Sequence, residues 1–505
     1  MKKQREPSKE QSLKDPQKRQ SLLDFASIAM GGLLVSALPG MVRAAGKNDA
    51  LQRLKSSVVG AVVEKNTTFY EPWRRSMIWQ YRKFERYPDI LVQAKSEDDV
   101  VAAVNFARDA GMKITTRSGG HSWSGCYLRN GGVLLDVSQF QGVEIEEKSG
   151  IARVGAGVLG RSLNEQLATK GLAFPTAHCG MVPISGFLLG GGLGWNSTAW
   201  GGMSVFNVVG IDVVTAEGEK LHANEKKNAD IFWAARGGGP GLFFTVTRFH
   251  LKCHPLPQAI TTDTYFFHYS ELASVVSLME DVGPGIDPNL EMLTVIIPTF
   301  PELSQKCSGS ECDRVVALAA SAFAKAPADA RNMLAPIAAH PVTKNAQFVI
   351  PDRPTPFEVL YQDNEGPFPQ RRARADNIYT NRAANTVPAL SKYMLTAPST
   401  GNTPVILWRG DLKFPDAAYS STGRFYLAGY AQWDNEEDDF ANQQWLREFY
   451  DEMQPFASGY YINEFDRETR SNMTSACFAP PNWEKLKTLR AKFDPDGVFH
   501  EFLEV

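Results

Sequence analysis

The sequence predicts an α+β protein built in two different ways along the chain. At 505 residues, with 43% hydrophobic and 22% charged positions, the chain can bury large cores. From Tyr87 to about Pro257, short apolar runs alternate with helical patterns and are joined by glycine-rich loops. From about Gln258 to Gln454, the pattern changes to longer strands, helices and proline-rich connections. This change predicts two domains, the first of them organised around its loops.

The first 45 residues differ from the rest in composition and are assigned to a signal peptide. Met1–Arg19 is polar and rich in lysine and arginine, Phe25–Val42 is apolar, and Val42–Ala44 has the small-x-small form of a cleavage site. A membrane anchor is the alternative, but Gly31-Gly32 and a marginal length argue against it. Lys18-Arg19 weakly resembles a twin-arginine export signal. The sequence therefore predicts a periplasmic or secreted protein without stable membrane insertion.

Helix and strand signals follow one another through both halves. In the first half, Ser96 is placed to cap a helix from Glu97 to Ala110, which Gly111 closes. A strand from Lys113 to Arg117 leads into a glycine-rich loop. The remaining predicted strands are Val133–Val137, Ile151–Val154, Val208–Thr215, Met292–Ile297, Val405–Trp408 and Tyr426–Tyr430. The remaining predicted helices are Phe440–Met453 and Asn482–Lys492.

Charge, histidine and cysteine usage narrow the function. A net charge of -3 gives no long-range field that would gather polyanions, so no nucleic-acid partner is expected. The eight histidines are scattered without paired metal-ligand spacing, so no metal site is expected. Cys307 and Cys312 are close enough in an exported chain to close a small disulfide loop. Free thiols at both positions are the equal alternative.

A dinucleotide motif occurs between a predicted strand and a predicted helix. Gly155 to Gly160 matches G-x-G-x-x-G, in the context that a nicotinamide-binding fold requires. Such a site also needs an acidic residue about 20 positions further on, which binds the ribose. Ala173 to Pro183 contains none, so a nicotinamide cofactor is disfavoured.

Two further loops carry the stronger chemical signal. Arg117-Ser118-Gly119-Gly120-His121-Ser122 places an imidazole in a loop whose glycines let the backbone approach a ligand. Further on, Cys179 precedes Val182, Gly186 and the run Gly190-Gly191-Gly192. Separately these are a turn histidine and a small buried thiol. Together, at these spacings, they closely resemble the berberine-bridge-enzyme-like branch of the vanillyl-alcohol-oxidase flavoprotein family.

This resemblance implies a two-part FAD-binding domain of the vanillyl-alcohol-oxidase type and a substrate domain built as an antiparallel sheet covered by helices. It places the FAD-binding domain at 46–257 and the substrate domain at 258–454, with 455–505 returning to the FAD-binding domain. In bicovalent members of the family the matching imidazole and thiolate add to the electrophilic edge of the flavin, so FAD is expected on His121 and Cys179. The other implied cofactor-binding residues are Arg117, Ser118, Gly119, Gly120, Ser122, Val182, Gly186, Gly190, Gly191, Gly192, Val214 and Asn463.

The resemblance also implies where the substrate proton goes. Tyr461-Ile462-Asn463 is similar to the family's Tyr-x-Asn segment, and Trp408–Leu412 resembles the strand that carries its catalytic carboxylate or tyrosine. Aligned without gaps, Asp411 falls on the carboxylate. The expectation is that Tyr461, assisted by Asp411 as proton acceptor, takes the substrate proton while hydride leaves for flavin N5. A solvated aspartate at a strand end is the equal alternative for Asp411.

The implied function is an FAD-linked oxidase or dehydrogenase acting on a small molecule. A sugar or oligosaccharide is the first expectation. Trp123, Trp195 and Trp200, near the flavin motifs, favour as the alternative an aromatic alcohol, phenol or heterocyclic amine stacked on their rings. A third alternative for the function is a flavin-binding protein that does not catalyse a reaction. Ala177, two residues before Cys179, matches a position that faces the oxygen approach in the family and is small, which favours O2 over another acceptor. The sequence carries no signal for the oligomeric state.

Overall fold

The computed structural model describes residues 49–300 and 313–503. The predicted signal peptide, and Cys307 with Cys312, lie outside these residues. Along the described chain, 18 strands form four sheets and helices pack between and around them. The α+β fold predicted from the sequence is confirmed.

The first sheet has four strands in the order β1-β2-β4-β3. Its strands are β1 (Ala61–Glu64), β2 (Ile90–Gln93), β3 (Ile114–Arg117) and β4 (Val133–Asp136). β2, β4 and β3 are parallel, because helix α2 (Glu97–Asp109) crosses over between β2 and β3. The Ser96 side chain accepts the N–H of Asp99 and caps α2 as predicted. Helix α1 (Tyr70–Ser76) lies between β1 and β2 in the chain.

The second sheet has five antiparallel strands in the order β5-β6-β10-β8-β9. They are β5 (Val143–Glu146), β6 (Ile151–Gly155), β8 (Val208–Thr215), β9 (Lys220–Ala223) and β10 (Phe244–Lys252). A small pair joins β7 (Leu172–Ala173) to β11 (His254–Pro255). The helices of this stretch are α3 (Gly160–Ala168), α4 (Ile184–Leu189) and α5 (Ala229–Ala235). The strands predicted in the first half are confirmed within one residue at either end.

The third large sheet is entirely antiparallel and has seven strands in the order β15-β12-β14-β13-β17-β18-β16. They are β12 (Ala259–His268), β13 (Leu290–Pro298), β14 (Arg314–Ala324), β15 (Phe348–Pro354), β16 (Arg372–Thr380), β17 (Thr403–Trp408) and β18 (Phe425–Trp433). The helices of this part are α6 (Leu272–Val282), α7 (Pro327–Ala338), α8 (Phe357–Glu365), α9 (Val387–Leu395) and α10 (Asp439–Met453). All of β16 and β18 is buried, α10 packs on both strands, and β18 also lines the site described below.

The C-terminal segment ties the seven-stranded sheet to the four-stranded sheet. Near its start, Asn377 of β16 exchanges two hydrogen bonds with the backbone of Tyr461, at 2.7 and 3.0 Å. Helix α11 (Pro480–Phe493) follows, and its end is fixed by Asp494, which accepts the N–H groups of Val498 and Phe499. Phe499 then pairs in parallel with Ile114 of β3.

Short 3-10 helices connect many of these elements. They are Ser204–Asn207, Gly239–Gly241, Tyr269–Glu271, Gly283–Gly285, Pro341–Asn345, Ala383–Thr386, Glu436–Asp438, Gln454–Phe456 and Ser471–Cys477. Among the helices of the described ranges, none is long and apolar enough to cross a membrane.

Candidate active site

One cavity joins the loop after β3, the loop after β7 and the inner face of the seven-stranded sheet. His121 and Cys179 both line it, 58 positions apart in the chain, together with residues of β17, β18 and the C-terminal segment. Sequence reasoning expected the first two to meet at one ligand, and the structure brings them to the same space. The cavity is therefore the candidate active site.

The loop after β3 is held in place by close backbone packing. Arg117 pairs with Asp136 at 3.0 Å and donates to the carbonyl oxygen of Met77, which anchors the start of the loop. Gly120 has φ +71°, and a Cβ there would lie 2.0 Å from the same Met77 oxygen. A Cβ on Gly119 would lie 1.8 Å from Pro183 of the second loop. Only glycine fits at these two positions, so the backbone itself faces the cavity.

The imidazole ring of His121 is fixed in orientation by stacking and is uncharged at neutral pH. Its ring stacks on Trp79 at a centroid distance of 4.3 Å and an interplanar angle of 5°. Burial lowers the pKa of His121 to about 4, because the charged imidazolium loses its hydration in the cavity wall. At neutral pH the ring therefore carries a free nitrogen lone pair.

Cys179 lies on the second loop, close to a carboxylate. Its Sγ donates to Glu365 Oε1 at 3.6 Å, and burial raises the pKa of the thiol to about 11. Val182 and Gly186 also line the cavity, as predicted for cofactor-binding residues. The thiol is thus protonated at neutral pH and has a proton acceptor in contact.

Gly190, Gly191 and Gly192 do not line the cavity but support it from behind. A Cβ on Gly190 would lie 2.0 Å from the side-chain oxygen of Asn463, and Gly191 and Gly192 have φ +115° and +80°. Val214 is likewise fully buried in the core of β8, away from the cavity lining. Asn463 does line the cavity and donates to the carbonyl oxygen of Phe187 at 3.0 Å. The glycine run therefore seats the C-terminal segment against α4.

Tyr461 lies in the cavity wall but Asp411 does not accompany it. The Tyr461 hydroxyl accepts the Leu193 N–H at 3.3 Å and the Asn463 amide at 3.0 Å. Burial raises the pKa of this phenol above its usual range, so the group stays protonated. The expected pairing of Tyr461 with Asp411 is absent from the structure.

Asp411 lies on the protein surface, which corrects the expectation that it assists in proton transfer. Its side chain is 73% exposed and forms a two-point ion pair with Arg424, with both bonds at 2.8 Å. The chain turns sharply after β17, where Arg409 is buried against Ser197 and Gly410 has φ +73°. This turn carries Asp411 outward, and Arg424 holds the pKa of its carboxyl below the usual range. Asp411 is thus a solvated aspartate beyond the end of a strand, which was the alternative given in the sequence analysis.

The cavity wall contains a carboxylate that no sequence motif predicted. Glu464 lines the cavity and accepts the hydroxyl groups of Tyr426 and Tyr430 at 2.5 and 2.7 Å. Burial raises the pKa of Glu464, while the two tyrosine donors lower it. The pKa values of both tyrosines lie well above their usual range, through burial and the charge of Glu464. Both phenols therefore stay protonated and donate to the carboxylate.

A hydrogen-bonded histidine–glutamate pair lies beside Cys179, with the histidine in the cavity wall. His178 Nε2 is 2.8 Å from Glu291 Oε1, and the other oxygen of Glu291 accepts the N–H of Asn196 at 3.2 Å. The His178 ring also packs against Trp195, with ring centroids 4.2 Å apart. The ring orientation is thus fixed by a buried carboxylate on β13.

Comparisons with known proteins place this cavity in a family. Residues 88–224, which include both loops, match the FAD binding domain model FAD_binding_4. The FAD-linked oxidoreductase janO of Penicillium janthinellum is 26% identical over 435 residues, 85% of this chain and 93% of that protein. The (R)-6-hydroxynicotine oxidase of Paenarthrobacter nicotinovorans is 32% identical over 206 residues, 40% of this chain and 44% of that protein.

The solved structure of berberine bridge enzyme from Eschscholzia californica has the same fold, with a TM-score of 0.76 at 18% identity. The alignment covers 90% of this chain and 99% of that one. The chain therefore contains an FAD-binding domain, has the fold of the vanillyl-alcohol-oxidase flavoproteins and is similar to FAD-linked oxidoreductases. The resemblance seen in the two loops is confirmed, and with it FAD as the cofactor and the assignment to enzymes.

The cavity of this FAD-linked oxidoreductase fits its cofactor at both loops. The backbone of residues 117–122 reaches the cavity surface because a Cβ on Gly119 or Gly120 would clash with protein behind it, as described above. Those residues, with Val182, Gly186 and Asn463, are placed to hold FAD. The G-x-G-x-x-G sequence has another use, because a Cβ on Gly155 or Gly157 would lie 2.3 Å from the backbone oxygen of Phe140 or Ser138. Its glycines serve packing.

One group of possible metal ligands lies on the five-stranded sheet of the oxidoreductase. Three adjacent strands bring together Asp212, His222 and His250, a group that their spacing in the sequence does not predict. Each carboxylate oxygen of Asp212 contacts one ring nitrogen, at 2.7 and 3.1 Å. Asn224 binds two backbone N–H groups through its oxygen, so its amide nitrogen donates to His222 Nε2. His222 Nδ1 therefore carries the proton given to Asp212, which favours a hydrogen-bonded triad over metal ligation.

Proposed function

We propose that this protein is an exported oxidase that carries FAD bonded to His121 and Cys179 and oxidises an aromatic or heterocyclic alcohol, phenol or amine. The observation that supports this most strongly is the shared cavity. It holds two nucleophilic side chains on one side and the half-buried Glu464 carboxylate, with its two tyrosine donors, on the other.

Attachment at His121 is supported by the state of its ring. A neutral imidazole fixed by stacking on Trp79 presents a nitrogen lone pair to a ligand in the cavity. Attachment at Cys179 is supported by the placement of the thiol in the same cavity, next to a carboxylate that can remove its proton. Bound FAD would supply the hydride acceptor at N5.

The walls of the cavity favour an apolar ring over a sugar. The seven-stranded sheet contributes Leu293, Val405 and Leu407, and Phe368 and Trp123 add aromatic surface. Sugars require many hydrogen-bonding groups, and the side chains of β13 and β17 that line the cavity offer none. Of the three tryptophans considered as stacking surfaces, Trp123 lines the cavity and packs against Tyr430. Trp195 and Trp200 are buried in a separate aromatic cluster.

Glu464 is the proposed acceptor of the substrate proton. Its anion is held by two hydroxyl donors, and no described cation pairs with it, so a substrate hydroxyl or protonated amine is a good third partner. Tyr461 is better suited to position the substrate, because its raised pKa makes it a poor base near neutrality. This proposal replaces the pairing of Tyr461 with Asp411.

Two parts of the proposal come from the sequence. Ala177 also lines the cavity, and its small side chain leaves space next to Cys179 for O2, which would give hydrogen peroxide. Export rests on the signal-peptide pattern of the first 45 residues.

The test examines both the covalent attachment of the flavin and its reduction by substrate. Denatured, acid-precipitated protein is expected to stay yellow, and peptide mass spectrometry is expected to find flavin on His121 and Cys179. Anaerobic mixing with aromatic alcohols, phenols and heterocyclic amines is expected to bleach the flavin, and air is expected to restore it with release of hydrogen peroxide. Flavin that washes free on denaturation would contradict the attachment. Bleaching by sugars alone would overturn the substrate class.

A further inference from the structure

Cys179 has a carboxylate partner from a distant part of the chain. Glu365 lies at the end of α8, and its Oε1 accepts both the thiol at 3.6 Å and the N–H of Gly180 at 3.2 Å. The other oxygen accepts Arg161 Nη2 at 2.8 Å. Two donors on α3 and on the cysteine loop therefore hold the carboxylate against the sulfur.

The thiol needs such a partner before it can react. The thiolate is the nucleophilic form of cysteine, and burial raises the pKa of Cys179 to about 11. At pH 7 a thiol with this pKa is ionised in roughly one molecule in ten thousand. His121 has no such barrier, because its lowered pKa leaves the imidazole unprotonated. The two proposed attachment sites thus differ in their need for a base.

We propose that Glu365 is the base that takes the Cys179 proton when the sulfur bonds to the flavin ring. This inference rests on the attachment at Cys179 proposed above. The S–H proton passes to Glu365, and Sγ forms a bond to a ring carbon. That carbon loses its hydrogen, and two electrons pass to O2. The sum is thiol, ring C–H and O2 giving thioether and hydrogen peroxide.

Arg161 and Gly180 keep the carboxylate suited to this step. They bind Glu365 without occupying the contact with the sulfur, and the positive charge of Arg161 also favours the thiolate. Arg161 has a second carboxylate partner, Glu358, whose Oε2 lies 3.0 Å from its Nε. Glu358 is in the first turn of the same helix and makes no hydrogen bond with Cys179. Helix α8 therefore offers a matched control.

The test compares Glu365→Gln with Glu358→Gln in full-length protein purified with its flavin. Glutamine keeps an oxygen and an amide for its neighbours but cannot take a proton near neutrality. Glu365→Gln is expected to carry flavin on His121 and little on Cys179, as measured by mass spectrometry of the two peptides after denaturation. In air at pH 7, its Cys179 bond is expected to form about 10²–10⁴ times more slowly than in the wild type. Glu358→Gln is expected to match the wild type.

The pH dependence separates a base from a merely structural residue. Without Glu365, bond formation at Cys179 depends on thiolate formed by the solvent, so its rate is expected to rise about tenfold per pH unit between pH 7 and 9. A full Cys179 bond in Glu365→Gln, formed at the wild-type rate, would overturn the proposal. Loss of flavin from His121 as well would show a structural role and also overturn it. Wild-type protein with flavin on His121 alone would refute the attachment at Cys179 itself, and this inference with it.

Discussion

The two walls of the cavity differ in how they are built. The flavin-side wall is centred on two short stretches of the chain, residues 117–122 and 177–186, most of whose residues line the cavity. The substrate-side wall combines β13, β17 and β18 with the segment that begins at Tyr461. A site built from one loop is visible in the sequence as a motif. A site built from four separated segments is not, because each strand contributes only one or two residues and the others come from a distant part of the chain.

The largest expected effect tests the substrate-side wall. Glu464→Gln removes the proposed base but keeps an oxygen for Tyr426 and Tyr430. Anaerobic reduction of the flavin by substrate is expected to slow by about 10²–10⁴-fold, since this is the usual contribution of a general base. Stopped-flow absorbance measures the rate, and an unchanged spectrum of the oxidised flavin shows that the cofactor side is intact. Reduction at the wild-type rate would place the base elsewhere, with His178 the next candidate.

The pH dependence of reduction sharpens this test. Glu464 must be ionised to take a proton, and burial raises its pKa above the usual glutamate range. The reduction rate is expected to fall by about tenfold per pH unit below that raised pKa and to level off above it. Glu464→Gln is expected to lack this acidic limb. If the rate of the variant still falls at low pH, the decline is caused by the titration of another group and not of Glu464.

Tyr461→Phe is expected to act on stability more than on chemistry. The phenol accepts two hydrogen bonds from groups that are buried with it, and its loss leaves the Leu193 N–H and the Asn463 amide without that acceptor. The free energy of unfolding is expected to fall by about 1–3 kcal/mol, measured by chemical denaturation. Flavin reduction is expected to slow by roughly tenfold or less, through misplacement of the substrate. A loss as large as that of Glu464→Gln would restore Tyr461 as the base.

The smallest effect is expected for Asp411→Asn. The residue is exposed and its ion pair with Arg424 is screened by solvent, so stability is expected to change by about 0.5 kcal/mol or less. The flavin reduction rate is expected to stay within about twofold of the wild type, because Asp411 does not line the cavity. A large loss of rate would show that the strand end moves when substrate binds.

The contrast between Asp411 and Glu464 shows what the sequence can and cannot predict. Periodicity and capping predicted α2 and seven of the 18 strands, because those signals are local. Alternation along β18 also places Tyr426 and Tyr430 on one face of the strand. The partner of these tyrosines depends on how residues 461–464 return across the sheet, which no local pattern records. The sharp turn at Gly410 likewise decides that Asp411 leaves the site.

The Asp212, His222 and His250 group makes the same point for metal sites. The spacing of these residues along the chain does not predict the group, because the residues come from three separate strands that become neighbours only in the folded sheet. The hydrogen bonds of Asn224 are what distinguish three residues that are bonded to one another from three residues that are free to bind a metal ion. Residue types and their spacing in the sequence therefore predict which residues meet within one loop better than which residues meet across the strands of a sheet.

The parallel pairing of Phe499 with Ile114 affects when the cavity can form during synthesis. Phe499 and His500 line the cavity, so its wall is incomplete until the chain has been made up to these residues. Capture of the cofactor in the complete cavity then follows translation past residue 500. An export route that threads an unfolded polypeptide would need flavin supplied on the far side of the membrane, whereas a route for folded proteins would carry the flavin across with the chain.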